Sequence, residues 1–379
     1  MRRLAVVVSS EMTIRAFLLG HIVAWCRVFR LTVFANTNDT DLLARHGLAV
    51  DVQSVAIVRP VHLLADVKAL WMLTRRLRRE RFDAVLSITP KAGLLAMLSA
   101  FIARVPVRLH VFTGQVWATR SGAARWVFKT IDRLTASVAT HVLVDGEPQR
   151  QFLLREGVVR ADKSRVLLHG SLCGVDASRF KPDAAARLSL RQSLGVGAEE
   201  VAFLFLGRFN RDKGVLDLAR AFAGLAALQA SVRLFLVGPD EGGLRTELEV
   251  ILSACRERVH FEAFTATPEA FMQAADVFCL PSYREGFPTS ILEAAACGLP
   301  ALASRIYGIE GALLDGEGGL LHEPGDVAAL QAGMARLAAS GALREKYAVA
   351  ARERAMRDFA APQVIEAFAH YLVAVTEKS

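Results

Sequence analysis

The sequence predicts an α/β protein built as two successive domains, each a parallel sheet covered by helices on both faces. Three observations predict it. Short apolar runs alternate with longer amphipathic stretches along most of the chain. The strand series restarts after a break between Gly174 and Pro182, as a second sheet would. The length, 379 residues, suits two domains of ordinary size, and 53% hydrophobic against 22% charged residues excludes a disordered chain.

The first series opens with a buried strand over residues 4–8, a polar loop to Thr13 and an amphipathic helix from about Ile14 to Phe29. Strands are expected at 31–35 and 50–58, then a helix over 61–81 that ends in Arg75, Arg76, Arg78, Arg79 and Arg81. Cations are favoured at a helix C-terminus, and basic surface segments also attract anionic lipid. A strand at 83–88 leads through Thr89-Pro90-Lys91-Ala92-Gly93 into an apolar helix over 94–103. Strands at 107–112 and 141–144 complete the series.

The second series begins with a strand at 201–206 and the loop Gly207-Arg208-Phe209-Asn210-Arg211-Asp212-Lys213-Gly214. A helix over 216–229, a strand at 232–237 and Gly238-Pro239-Asp240 follow. Residues 259–261 lead into Phe264-Thr265, and a strand at 275–280 runs into a loop made by Pro281, Gly286 and Pro288. A short helix capped by Thr289 or Ser290 then stops at Gly298-Leu299-Pro300, and residues 362–378 form a last amphipathic helix.

The net charge of +8 is uneven: residues 1–175 carry +13 and residues 176–379 carry −5. The basic half suits an anionic membrane face or an anionic lipid-linked substrate. Nucleic acid is the weaker choice, because no zinc finger, RNP pattern or helix-turn-helix is visible. The five cysteines show no CxxC or metal-ligand spacing and read as small buried residues in a reducing compartment. The nine histidines form no metal cluster. The best bilayer candidate, residues 12–25, is short and contains Arg15 and His21, and the basic start lacks the apolar length of a signal peptide. The expected place is the cytoplasm.

In doubly wound sheets, ligands sit beyond the carboxyl ends of the strands. Arg208 and Lys213, between Gly207 and Gly214, put two cations there, which suits a diphosphate; a plain solvated loop is the alternative. Glu285 and Glu293 bracket a loop and a helix N-terminus, a favourable place for an anion. Here the alternative is a capping box of Ser290 and Glu293, with Glu285 a solvated acid. Asp39-Thr40-Asp41 has the form of a metal-binding DxD motif, but reads as turn chemistry.

Taken together, Gly207-Arg208 with Lys213-Gly214, Val237-Gly238-Pro239-Asp240, Glu285-Gly286-Phe287-Pro288 with Glu293, and Gly298-Leu299-Pro300 resemble the retaining GT-B glycosyltransferases of family four. The resemblance covers nearly the whole chain. Residues 87–93, His110-Val111-Phe112-Thr113-Gly114-Gln115-Val116-Trp117, and Gly170-Ser171 with Gly174-Val175-Asp176 are similar to the bacterial subgroup that extends polyprenyl-diphosphate-linked glycans. In place of the Gly-Gly turn that many members carry after the first strand, this chain has Ser9-Ser10-Glu11-Met12.

The resemblance implies a GT-B fold, two Rossmann-like domains facing each other across a cleft. Residues 1–175, joined by a C-terminal helix at about 362–379, would bind the acceptor, and residues 176–361 the nucleotide sugar. Arg208 and Lys213 would neutralise the donor diphosphate, Glu293 would hold the ribose and Glu285 would orient the donor sugar. Gly207, Gly238, Gly286, Phe287, Pro288, Thr289 and Ser290 would line the donor site, with phosphate at the Thr289 and Ser290 amides. Phe264 and Thr265 lie where the family binds the base. His110 would face the reaction centre, or is a core histidine. Lys91, Thr113, Gly114 and Gln115 fall on the acceptor side. No metal or other cofactor is implied beyond a UDP-sugar donor. The implied partners are that nucleotide sugar, a polyprenyl-diphosphate-linked glycan and the anionic inner membrane face. The implied activity is retaining transfer of an N-acetylhexosamine such as GalNAc. The alternatives are a non-hydrolysing UDP-sugar epimerase and a catalytically silent nucleotide-sugar-binding partner.

Overall fold

The computed structural model describes residues 1–57 and 62–378; the end of the expected third strand at Val58, the start of the next expected helix at Val61 and the terminal Ser379 lie outside them. The described chain forms two compact units, one of residues 1–173 with 362–379 and one of residues 174–361.

The first unit carries strands β1 (Arg2–Val7), β2 (Phe29–Ala35), β3 (Asp51–Ser54), β4 (Ala84–Ile88), β5 (Val107–Phe112), β6 (His141–Val144) and β7 (Ser164–Arg165). Its helices are α1 (Glu11–Thr13), a π-helical turn (Ile14–Leu18), α2 (Leu19–Trp25), α3 (Leu63–Glu80), α4 (Pro90–Ile102), α5 (Gly122–Val138) and α6 (Glu147–Arg155). The strands pair in parallel in the order β3-β2-β1-β4-β5-β6-β7.

The second unit carries α7 (Ala184–Ser193), β8 (Val201–Leu206), α8 (Val215–Leu228), β9 (Val232–Val237), α9 (Arg245–Ile251), β10 (Val259–Glu262), α10 (Pro268–Ala274) and β11 (Val277–Leu280). It continues with α11 (Thr289–Ala296), β12 (Ala301–Ser304), α12 (Tyr307–Glu310), β13 (Gly319–His322), α13 (Val327–Ala339) and α14 (Gly341–Asp358). Its parallel sheet runs β10-β9-β8-β11-β12-β13. The last helix, α15 (Ala361–Glu377), belongs to the first unit.

Both sheets reverse direction of growth once, at β1/β4 and at β8/β11, and a crevice for ligand opens at the carboxyl ends of such strands. Alternation along the strands divides each core into two layers. Leu4 and Val6 enter one layer and Ala5 and Val7 the other; Ala202 and Leu204 face away from Phe203 and Phe205 in the same way.

Several local outcomes differ from the sequence expectation. The helix expected to reach Phe29 ends at Trp25, because Phe29 is already paired with Arg2 as the start of β2. Its first part is a π-helical turn. The helix expected from Leu94 starts at Pro90, since proline lacks the N–H that a first helical residue leaves unused anyway. Gly93 then lies inside α4, where a Cβ would stand 2.3 Å from Cε1 of His110. The strand expected from Ala275 begins at Val277, while the Asp276 carboxylate accepts from Arg187, Arg191 and the Ala202 amide.

Within the first unit, α15 docks on α2 through aromatic contacts. The His21 ring stacks on Trp25 at 5.0 Å and meets the edge of Phe368 at 5.2 Å. Its Nε2–H donates to the Leu172 carbonyl at 2.7 Å, and burial pushes its pKa down to about 4.

Candidate active site

Three loops leave the carboxyl ends of β8, β9 and β11 in the second unit, and glycines allow them to close on one another. Gly214 has φ +65°, and a Cβ there would lie 2.0 Å from the Pro281 carbonyl oxygen. At Gly238, φ +141°, a Cβ would lie 2.0 Å from the Gly207 carbonyl oxygen. Only glycine fits both the dihedrals and the space. Backbone bonds complete the closure: the Tyr283 amide donates to the Asp212 carbonyl at 2.8 Å, and the Phe209 amide to the Pro239 carbonyl at 2.8 Å. Arg284 pairs with Asp212 at 2.8 Å across the same two loops.

Within this frame Lys213 and Glu285 meet. Nζ of Lys213 lies 2.6 Å from Oε1 of Glu285, and the Ser282 hydroxyl donates to the same oxygen at 2.7 Å. Both side chains are largely sheltered, at 21% and 11% exposure, so this pair feels less solvent screening than a surface pair. Gly308 backs Glu285 so closely that a Cβ would lie 2.3 Å from the Glu285 carbonyl oxygen. Arg208 is more exposed and pairs with Glu241 at 2.7 Å. The Tyr283 hydroxyl donates to Asp217 at 2.6 Å; that bond and burial push the phenol up to about 12.

The helix after this loop begins at Thr289, with Pro288 as its N-cap and no side-chain cap. The capping box considered for Ser290 and Glu293 is therefore corrected: Ser290 is already the second helical residue, and Glu293 lies a full turn inside. Thr289 and Ser290 are left among the first-turn amides that have no intrahelical acceptor. Burial pushes the Glu293 carboxyl up to about 7; Arg179 opposes this rise and Glu269 adds to it. Arg179 itself donates to Glu269 at 3.0 Å. Phe264 is 73% exposed, and the Thr265 hydroxyl oxygen accepts from the Thr267 amide at 3.1 Å.

At the carboxyl edge of the first sheet, Lys91 pairs with Asp66 of α3 at 2.7 Å. The Thr113 carbonyl accepts from the side-chain amides of Gln115 and Gln149. Gln115 is buried, and beyond Gly114 the loop reaches Trp117, whose indole donates to Asp132 at 2.7 Å and stacks on Phe152. Thr89 holds φ +76°, unusual for a β-branched residue, and its hydroxyl donates to Ser9 Oγ at 3.1 Å. His110 is fully enclosed: Nδ1 lies 2.9 Å from the Ser87 hydroxyl, Phe112 meets its ring edge-on, and burial pushes it down to about 3. These are the surroundings of a neutral core histidine. Asp39-Thr40-Asp41 follows β2; Asp39 pairs with Arg15 and Arg45, and its amide donates to the Thr37 hydroxyl oxygen at 2.9 Å. Among the described residues no group of three or more His, Cys, Asp or Glu is placed to hold a metal.

Gly308, Asp217 and Arg179 join the site without a signal of their own in the sequence. Ser282 lies three residues before Glu285, a spacing that also belongs to the family resemblance. The chemistry available is anion binding. Arg208 and Lys213 follow β8, and Glu285 and the start of α11 follow β11, the two strands at the switch point of this sheet; cations and first-turn amides in such a place can bind an anion.

Known proteins share this organisation. Residues 19–170 match the family model described as a glycosyl transferase 4-like domain, and residues 187–354 match that of glycosyl transferases group 1. The chain is 24% identical over 318 residues to the capsular polysaccharide biosynthesis glycosyltransferase CapM of Staphylococcus aureus, covering 82% of each protein. It is 27% identical over 257 residues to the UDP-Gal:alpha-D-GlcNAc-diphosphoundecaprenol alpha-1,3-galactosyltransferase of Escherichia coli, covering 66% of this chain and 65% of that one. In fold it is similar to the Anabaena protein HepE solved with UDP, with a TM-score of 0.80 at 21% identity over 98% of this chain and 100% of that one. The two sheets and these similarities agree: the chain belongs to the GT-B glycosyltransferases of family four.

Proposed function

We propose that the protein is a retaining glycosyltransferase. It moves a sugar, an N-acetylhexosamine such as GalNAc, from a UDP-sugar to an undecaprenyl-diphosphate-linked saccharide in bacterial surface polysaccharide or glycoprotein glycan synthesis. The observation that carries the reading is the Lys213–Glu285 pair, set between two clamped loops beside Arg208 and the start of α11. The Escherichia coli relative, named for a diphosphoundecaprenol acceptor, supports the acceptor class, and HepE, solved with UDP, supports the donor class.

In this reading the donor diphosphate exchanges places with carboxylates as partner of Lys213 and Arg208, and the Thr289 and Ser290 amides face phosphate. Negative charge that develops on departing UDP then meets fixed cations and a helix N-terminus, with no metal required. Glu285, released toward the sugar, accepts from a hydroxyl and orients it. Glu293 accepts from the ribose. The acceptor proton leaves with the phosphate on the front face, so no enzyme nucleophile is needed. The first unit, with its basic balance, takes the lipid-linked acceptor at the anionic inner membrane face.

The test is a screen of UDP- and GDP-sugars against undecaprenyl-diphosphate-linked acceptors with mass detection of product, repeated in excess EDTA. A product one N-acetylhexosamine heavier, formed with or without EDTA, is expected. Loss in EDTA with rescue by Mg²⁺ overturns the metal-free account. An epimer formed from UDP-sugar without acceptor overturns transfer altogether.

A further inference from the structure

We propose that the outward face of α3 docks the protein on an anionic bilayer, with lipid phosphates seated among its arginines. The proposal deepens the reading of a lipid-linked acceptor and rests on it. The inner face of α3 is ordinary core: Ala69, Leu73 and Leu77 are buried. The outer face is not ordinary surface. Leu64, Val67 and Trp71, spaced i, i+3 and i+7, form one stripe and are 82%, 64% and 61% exposed. An apolar stripe of that kind marks an interaction surface.

The same stripe then turns basic. Arg75 and Arg78 continue it, and with Arg79, Thr74 and Trp71 they line an open pocket of about 420 Å³. The Arg75 guanidinium lies 5.5 Å from the centre of the Trp71 ring. Arg78 donates to the Ile102 carbonyl at 2.9 Å, which fixes the pocket to the end of α4, where Phe101 is also exposed. Both acids of α3 are engaged elsewhere: Asp66 with Lys91 at 2.7 Å, and Glu80 with Arg3 at 2.9 Å. The outer face therefore offers aliphatic carbon, an indole and arginines, with each acid of the helix held by a cation.

A partner for this face must be apolar and anionic at once. Nucleic acid answers the arginines but leaves the Leu64, Val67 and Trp71 stripe in water. A bilayer answers both, since indoles settle at the headgroup level and basic amphipathic helices lie in that plane. No helix among the described residues is long and apolar enough to cross a membrane, so this contact lies on the surface. The Asp66–Lys91 pair adds a consequence. The docking helix holds the lysine assigned to the acceptor side, so bilayer contact and acceptor lysine share one rigid element.

The experiment is co-sedimentation of the full chain with phosphatidylcholine vesicles, with and without phosphatidylglycerol. Val67→Ser/Trp71→Ser and Arg75→Ser/Arg79→Ser are compared with the wild type, all four changes being at exposed positions that leave the core intact. Wild-type protein is expected to bind the anionic vesicles and to release as salt rises. The arginine variant should bind on the order of twentyfold more weakly, from roughly fivefold per cation. The apolar variant should bind roughly tenfold more weakly. In a Trp126→Phe background, a blue shift of Trp71 emission on vesicles is expected. Variants that bind as wild type does overturn the α3 assignment. So does a dimer that Trp71→Ser abolishes while vesicle binding is untouched, which would make a second copy the occupant. Transfer to lipid-linked acceptor in detergent is measured in parallel. Transfer without vesicle binding sinks the docking proposal alone, and vesicle binding without transfer sinks the acceptor reading alone.

Discussion

Lys213 and Glu285, 72 residues apart, hold each other at 2.6 Å across two loops of the second sheet, with the Ser282 hydroxyl on the same carboxylate oxygen. A cation and an acid that both face ligand in the proposed reaction are each other's partner before ligand arrives. Removing either leaves the other exposed to the wrong neighbours. Lys213→Ala and Glu285→Ala should each lower turnover by at least about a hundredfold. The double variant should be little worse than either single one, because the two act as a unit. Steady-state transfer assays on the three variants check this; near wild-type turnover in either single variant defeats the assigned roles.

Gly308 is the test of position without chemistry. A Cβ there would meet the Glu285 backbone, not a side chain that could swing away. Gly308→Ala should push Glu285 outward and cost about a hundredfold in kcat/KM, the scale of a 1 Å misplacement. A thermal melt read alongside should show the fold intact. A variant with normal kcat/KM shows that the backing of Glu285 is dispensable.

Glu293 sets a pH dependence. Burial raises its folded pKa to about 7 from an ordinary 4.5, so the native state holds a proton that the unfolded state has already lost between those values. Stability therefore falls as pH rises from about 4.5 through about 7. UDP affinity should move the opposite way, rising through pH 7 as the carboxylate needed for the ribose forms. Glu293→Gln should melt a few degrees higher than wild type at pH 8 and bind UDP weakly at every pH. Calorimetric titrations at pH 6 and pH 8 decide it; pH-independent UDP binding in the wild type removes Glu293 from the ribose.

His110 sets another dependence, of opposite sign. Its folded pKa lies near 3, so an unfolded histidine takes a proton that the native one refuses. Stability is lost as pH falls from about 6.5 toward 3. His110→Asn should flatten that slope by one proton, with His21 still contributing its own part from a folded value near 4. Urea melts across this range measure the slope. A neutral His110 also leaves no histidine limb in the pH–rate profile near neutrality, and such a limb that vanishes in the variant would return the ring to the reaction centre.

Strands buried on both faces were the most legible elements. The runs at 107–112, 141–144, 201–206 and 232–237 coincide with β5, β6, β8 and β9, because a continuous apolar run leaves little room for another reading. Helix starts were less legible. Pro90 and Pro288 both read as loop residues; one opens α4, and the other stands just outside α11. Two four-residue strands were not legible at all: Ala301–Ser304 and Gly319–His322 take extended form from pairing in the sheet, not from propensity. In the site, residue types and spacing named Lys213 and Glu285, but nothing local said that they would meet. Ser282 and Gly308 matter through contacts that only the folded chain creates.

The last helix returns to the first unit, and this sets which residues each core needs before it is complete. Residues 174–361 contain every strand of their own sheet and need no later segment to close it. Residues 1–173 appear earlier yet wait longer, because Phe368 and Leu372 complete their core only when α15 is made. Without α15 the His21 and Trp25 rings of α2 lose Phe368 as their cover, and a stop codon placed before Phe368 should disable the first unit while sparing the second.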